Sequence, residues 1–287
     1  MQALYGQLLI GLINGAFYAM LSLGLAVIFG LLNIINFTHG AQYMLGAFSA
    51  WFLLEYAHLG YWWALLLVPL GVGATGIIIE RTMLSRLYKL DHLYGLLLTF
   101  GIALVAQGVF TNFFGSSGLP YRLPEGFAGA YNLGFMFLPK YRAWVVLVSM
   151  VVCGGTWFVI ERTRLGATLR AATENATLVQ AFGINVPRIV TLTYGGGVAL
   201  AALAGVMAAP IYQVNPLMGA NLIIVVFAVV VIGGMGSIAG SIITGFALGV
   251  IEGLTKYLYP EASNTVIFVI MAVVLIVKPR GLFGRER

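Results

Sequence analysis

The sequence predicts an all-α, polytopic membrane protein of eight or nine transmembrane helices. Of its 287 residues, 61% are hydrophobic and only 8% charged, whereas an average soluble domain is about 25% charged. Charge is also absent from long stretches. Residues 1–54 contain no Asp, Glu, Lys or Arg, and neither does Ile189 to Ile251. A spanning helix needs about 20 apolar residues, so each stretch has room for more than one. A mean hydropathy of +0.98 points the same way, because a soluble fold of this size leaves much of its surface in water. One membrane domain over residues 1–287 is expected, with no linker or low-complexity segment.

Apolar runs put the spans at about 5–31, 40–57, 61–80, 93–114, 143–161, 188–213, 221–234, 237–256 and 264–277. The first run lacks a basic n-region and continues past a normal h-region, so no cleavable signal peptide is expected. Eleven of the fifteen basic residues form three clusters: Arg81, Arg86 and Lys89; Arg162, Arg164, Arg170 and Arg188; Lys278, Arg280, Arg285 and Arg287. The positive-inside rule makes these cytoplasmic. The Gly-, Pro- and Tyr-rich loop from Gly115 to Arg142 is then external. Nine spans leave the N-terminus outside and the C-terminus inside. Topology thus accounts for the net charge of +6, and nucleic acid is not an expected partner.

Between the first two spans lies LNIINFTHGAQYMLGA, which sets Asn33, Asn36, Thr38, His39, Gly40 and Gln42 between apolar runs. Polar side chains at membrane depth are costly unless they face protein or water, and non-helical backbone there must line a cavity. The segment is therefore either part of a permeation path or a short cytoplasmic turn. No Cys, Asp or Glu lies within fifteen residues of His39, so a hydrogen-bonded structural role is favoured over a metal ligand or proton relay. Cys153, the single cysteine, rules out a disulfide within the chain and reads as a small buried residue.

The stretch ERTRLGATLRAATENATLVQAFGINVPRIV (161–190) is the longest amphipathic one. It interleaves Arg164, Gly166, Arg170, Glu174 and Asn175 with Leu169, Ala172, Leu178 and Phe182, and it ends in a turn-like GINVP that includes Gly183. A cytoplasmic helix of this kind suits a groove on a partner or the inner leaflet. Farther on, FAVVVIGGMGSIAGSIITGFALGVIE carries Gly233, Gly234, Gly236 and Ser237 in a second small-residue break. Paired interruptions of apolar segments point to translocation sites, although small residues four apart also serve static helix packing. Glu252 and Lys256 are spaced to pair on a helix.

No lysine follows glycine as a P-loop requires, so the chain is not expected to bind ATP, nor any cofactor or metal. GxSxG, HExxH and paired-cysteine patterns are missing too, and with them a membrane-embedded enzyme loses support. An ion-coupled carrier would need buried acidic residues, and only Glu252 is a candidate.

Residues 24–47, the segment TRLGATLRAATENATLVQAFGINV, the run VVVIGGMGSIAGSIITGFALGVIE and the tail KPRGLFG together resemble LivH-type permeases of branched-chain amino-acid ABC transporters, essentially end to end. The resemblance implies the helical fold of ribose- and branched-chain-type importer permeases, with broken helices near the pore, in a bacterial inner membrane. It implies a second, LivM-like permease, two P-loop ATPase subunits that hold ATP and magnesium, and a periplasmic solute-binding protein. It assigns ATPase coupling to residues 163–186, where Arg164, Gly166, Arg170, Glu174, Asn175 and Gly183 hold the recurring positions. Many members carry an acidic residue directly after the HG pair; Ala41 and Gln42 stand there here. The same family also serves urea, short amides and aromatic acids.

Overall fold

A computed structural model describes residues 2–32, 36–88 and 90–284. Its helices are α1 (Gln2–Leu32), α2 (Thr38–Glu55), α3 (Tyr61–Thr82), α4 (His92–Phe114), α5 (Lys140–Arg162), α6 (Arg164–Glu174), α7 (Ala176–Ala181), α8 (Val186–Ala208), α9 (Met218–Gly233), α10 (Ile238–Leu258) and α11 (Val266–Val277). Side-chain caps fix several starts by accepting a first-turn N–H. Asp91 takes Leu93 N at 2.8 Å, Asn185 takes Arg188 N at 3.1 Å and Ser237 takes Gly240 N at 3.1 Å.

Among the described residues six helices are long and apolar enough to cross a membrane: α1, α3, α4, α5, α8 and α10. The eight or nine expected crossings are reached only by adding α9 and α11, which are shorter, and the more polar α2. Helix α8 stops at Ala208, short of the expected 213. The chain there enters Ala209–Pro210, and proline has no N–H to continue the ladder.

Glycines draw the helices together. Helices α1 and α10 run antiparallel with their backbones nearly touching: a Cβ on Gly11 would stand 3.1 Å from Gly253 Cα, and one on Gly15 would stand 3.0 Å from Phe246 Cα. Helices α3 and α8 meet likewise, where a Cβ on Gly76 would stand 2.6 Å from Val198 Cγ2. In lipid such close approach is the main source of helix–helix packing energy. Large apolar side chains stay exposed along α3, α4, α5 and α11, as hydrocarbon-facing surfaces should. Cys153 is buried on α5.

The Gly115–Arg142 loop is ordered. It holds an antiparallel hairpin, β1 (Ala130–Asn132) on β2 (Phe137–Pro139), and a bridge from Leu119 to Val214 ties it to the α8–α9 connection. At the same end, the Tyr141 hydroxyl meets that of Tyr61 at 3.0 Å and donates to Met207 O at 2.9 Å. At the opposite end, Leu282 and Phe283 pair with the last turn of α9 and α6 packs on the end of α5.

Candidate functional site

The two interruptions lie at different depths. Helix α2 starts inside the bundle, beside the second half of α1, where His39 Nε2 stands 2.9 Å from Leu21 O. Room for the imidazole comes from Gly24: a Cβ there would stand 2.9 Å from His39 Cε1 and 2.7 Å from Gly197 O. His39, Asn36, Thr38 and Gln42 are each no more than 2% exposed. Asn36 Oδ1 accepts from Thr38 N at 3.1 Å and from the Thr38 hydroxyl. Gln42 Nε2 donates to Thr38 Oγ1 at 3.2 Å. Phe37 N donates to Thr99 Oγ1 on α4 at 3.3 Å.

Gly40 lies against α9, where a Cβ would stand 2.7 Å from Gly219 O. Asn33 falls outside the described residues. The Tyr194 hydroxyl of α8 faces Asn36, Thr38 and Gln42, and His39 faces Gln42. Asn36 Nδ2, His39 Nδ1, Gln42 Oε1 and Tyr194 Oη are buried and make no close, well-aligned hydrogen bond, so the donors and acceptors of this cluster can turn to a polar guest within the bundle.

The second interruption is a tight turn at the basic end. Gly234 and Gly236 adopt positive φ, 101° and 87°, a region open to glycine. Gly233 packs on the first turn of α10, with a Cβ position 2.7 Å from Gly240 C, and Gly236 abuts Gly30 at the end of α1. The chain beyond α11 folds back on this turn. Leu282 N donates to Ile232 O at 2.8 Å and Phe283 N to Gly233 O at 3.2 Å. The tail thus satisfies carbonyls that a helix end leaves open.

Segment 163–186 forms two short helices. Asn175 ends α6 and caps α7 by accepting Leu178 N at 2.9 Å. Gly166 is buried against the Ile160 carbonyl, where a Cβ would collide. Arg170 donates to Ile160 O at 2.6 Å and pairs with Glu161 at 3.4 Å. Gly166 and Arg170 thus fasten α6 to the end of α5. Arg164, Glu174 and Asn175 are exposed, and so is Gly183, which turns the chain at φ 81°. Of the apolar positions, Leu169 is buried while Leu178 and Phe182 are 55% and 77% exposed.

Glu80 was not singled out by sequence, since it ends a span beside Arg81 and reads as an interfacial charge. It is 2% exposed. Its carboxylate accepts from the Tyr88 hydroxyl and from the Thr191 hydroxyl of α8, both at 2.6 Å. It borders a cavity of about 1020 Å³ between the α3–α4 loop and the start of α8. Glu252 does not pair with Lys256; it accepts from the Tyr18 hydroxyl of α1 at 2.7 Å, a partner that helix spacing could not reveal.

Residues 7–276 match the family described as branched-chain amino acid transport system / permease component. The chain is 31% identical to the high-affinity branched-chain amino acid transport system permease protein LivH of Escherichia coli, over 97% of this chain and 95% of that one. It is 30% identical to the permease protein BraD of Pseudomonas aeruginosa, with the same coverage. It is 26% identical to the permease protein LivM of Escherichia coli, over 94% of this chain and 68% of that one. No solved structure matches. A bundle of apolar helices broken by a buried polar start, matched nearly end to end by transport permeases, belongs to the branched-chain amino acid transport system permease family.

Proposed function

We propose that this chain is one of two pore subunits of an ATP-driven importer for branched-chain amino acids in a bacterial inner membrane. The observation that carries the reading is its likeness to LivH over 97% of its length, which includes both interruptions and the cytoplasmic segment. LivM-type permeases match more weakly, which supports a second, related permease as the other half of the pore. A periplasmic binding protein delivers solute to the face carrying the β1–β2 hairpin. Two ATPase subunits on the basic face hold ATP and magnesium.

Coupling requires a free-energy term shared between nucleotide state and pore state. Helices α6 and α7 supply the contact. Leu178 and Phe182 offer an apolar patch beside the exposed Glu174, while Gly166 and Arg170 transmit its motion to α5. Arg164, Asn175 and Gly183 set the entry, elbow and exit of this lever. In the pore, Asn36, Thr38, His39, Gly40 and Gln42, with Asn33 before them, line the path. Gly233, Gly234, Gly236 and Ser237 form the turn that closes its cytoplasmic end.

The test is reconstitution of both permeases and both ATPase subunits in liposomes, with the binding protein and radiolabelled leucine, urea or benzoate offered outside. ATP-dependent leucine accumulation is expected. Accumulation of urea or benzoate instead reassigns the solute, and accumulation without the ATPase subunits refutes the ATP-driven importer. Phe182→Ser with Leu178→Ser should lower uptake at least tenfold and release the ATPases in a pull-down. Intact association in that variant refutes the docking role.

A further inference from the structure

A cleft of about 1020 Å³ opens at the basic end of the bundle, between the end of α3, the α3–α4 loop, the first turn of α4 and the start of α8, with Ala172 of α6 and Ala176 of α7 also in its wall. We propose that it holds the headgroup of an anionic phospholipid from the cytoplasmic leaflet. The inference goes beyond the importer reading and does not depend on which solute crosses.

Charge decides the chemistry of the guest. Arg81 and Arg188 line the cleft together with Glu80, Asp91 and His92. The two carboxylates are already engaged. Glu80 accepts from the Tyr88 and Thr191 hydroxyls, and Asp91 accepts from Leu93 N at 2.8 Å. Arg81 and Arg188 are exposed residues. Their guanidiniums make no hydrogen bond or ion pair among the described residues, where the ion pair formed is Arg170 with Glu161. What the walls leave unsatisfied is therefore cationic, with five planar donors on each arginine, the arrangement that takes phosphate oxygens in pairs. Basic clefts between membrane helices on the cytoplasmic side take lipid headgroups for this reason.

The remaining walls favour a lipid over a soluble phosphate. Ile77, Leu87, Leu90 and Leu192 are apolar, and Leu90 and Leu192 continue onto the outer surface, 51% and 65% exposed. An acyl chain can follow them from the headgroup into hydrocarbon. The volume stands at the top of the range of about 300–1,000 Å³ for small-molecule sites, far more than one phosphate ion fills.

The experiment uses the full-length chain, purified in detergent and stripped of bound lipid, with native mass spectrometry counting the lipids it retains. Phosphatidylglycerol, phosphatidylcholine and inorganic phosphate are added separately. Phosphatidylglycerol should bind about tenfold tighter than phosphatidylcholine and raise the thermal unfolding midpoint. Equal binding of the two lipids by the wild-type chain overturns the proposal without any variant. A basic residue beside an anionic lipid is worth about fivefold in affinity, so Arg81→Gln with Arg188→Gln should weaken phosphatidylglycerol binding about thirtyfold. The unfolding midpoint without lipid should stay at the wild-type value, because neither guanidinium has a partner to lose. Arg86→Gln with Arg164→Gln removes the same charge from exposed positions outside the cleft and should leave binding intact. Equal losses from both pairs overturn the proposal in favour of diffuse surface attraction. Inorganic phosphate that raises the midpoint as far as phosphatidylglycerol assigns the cleft to a soluble ion, and displacement of the lipid by added ATPase subunits assigns it to that partner. Either result overturns the lipid site.

Discussion

Glu80 holds two helices through two short hydroxyl bonds, from Tyr88 and from Thr191 of α8. Removing the carboxylate leaves both hydroxyls without their acceptor, at about 1–3 kcal/mol for a buried group. Glu80→Ala should therefore lower the thermal unfolding midpoint in detergent. A double-mutant cycle with Thr191→Val should give a coupling energy of about 0.5–3 kcal/mol, as for residues in one network. Strict additivity would mean the bond carries nothing. Gly24 sets a second residue-scale constraint, since any Cβ displaces His39 or α8. Overpacking of this kind typically costs about 1–3 kcal/mol, so Gly24→Ala should melt earlier than wild type while Gly196→Ala, where a Cβ meets open space, should not. None of this was legible in the sequence. A carboxylate next to an arginine looks solvated, and a glycine in an apolar run looks like every other one. The partners that distinguish them lie more than a hundred residues away in Thr191 and Gly197.

At the scale of elements, the sequence-derived spans match α1, α3, α4 and α5 within a few residues, because hydropathy and flanking charge are local properties. The polar breaks could be located by composition but not assigned a depth. Depth depends on which backbone each break packs against: Leu21 for His39, and Gly30 with the tail for the glycine turn. Segment 163–186 was legible as amphipathic. Its division at Asn175 was not, because Asn175 reads as one more polar position of the amphipathic pattern, and its cap on Leu178 N is a property of the fold. The glycine turn makes a sharp prediction. Gly236→Leu forces a side chain into positive φ and against Gly30 Cα, 3.1 Å from the Cβ position. Reconstituted uptake should fall by at least tenfold, with Gly101→Leu, in open space, as the control. Uptake equal to the control would show the turn has no part in the cycle.

For the whole molecule, the arrangement of the helices sets a topology that can be read chemically. Cys153, the native thiol, is 1% exposed, out of reach of a bulky reagent. A membrane-impermeant maleimide should therefore leave the wild-type protein unlabelled. Ser116→Cys, in the loop that carries the hairpin, should label from outside intact cells. Ser85→Cys, in the basic loop after α3, should label only after permeabilisation. The reverse pattern would invert the bundle and place the lever on the wrong side for an ATPase. Sequence assigns this sidedness through its basic clusters, with Arg122, Lys140 and Arg142 blurring the contrast at the end that carries the hairpin.

The backfolded tail orders events in biogenesis. Carbonyls of Ile232 and Gly233 find their donors in Leu282 and Phe283, about fifty residues later in synthesis. The α9–α10 corner must therefore enter the bilayer unfinished and wait until α11 has been inserted and the following strand of chain has emerged. A nascent chain halted just past α10 would leave those two carbonyls without these donors.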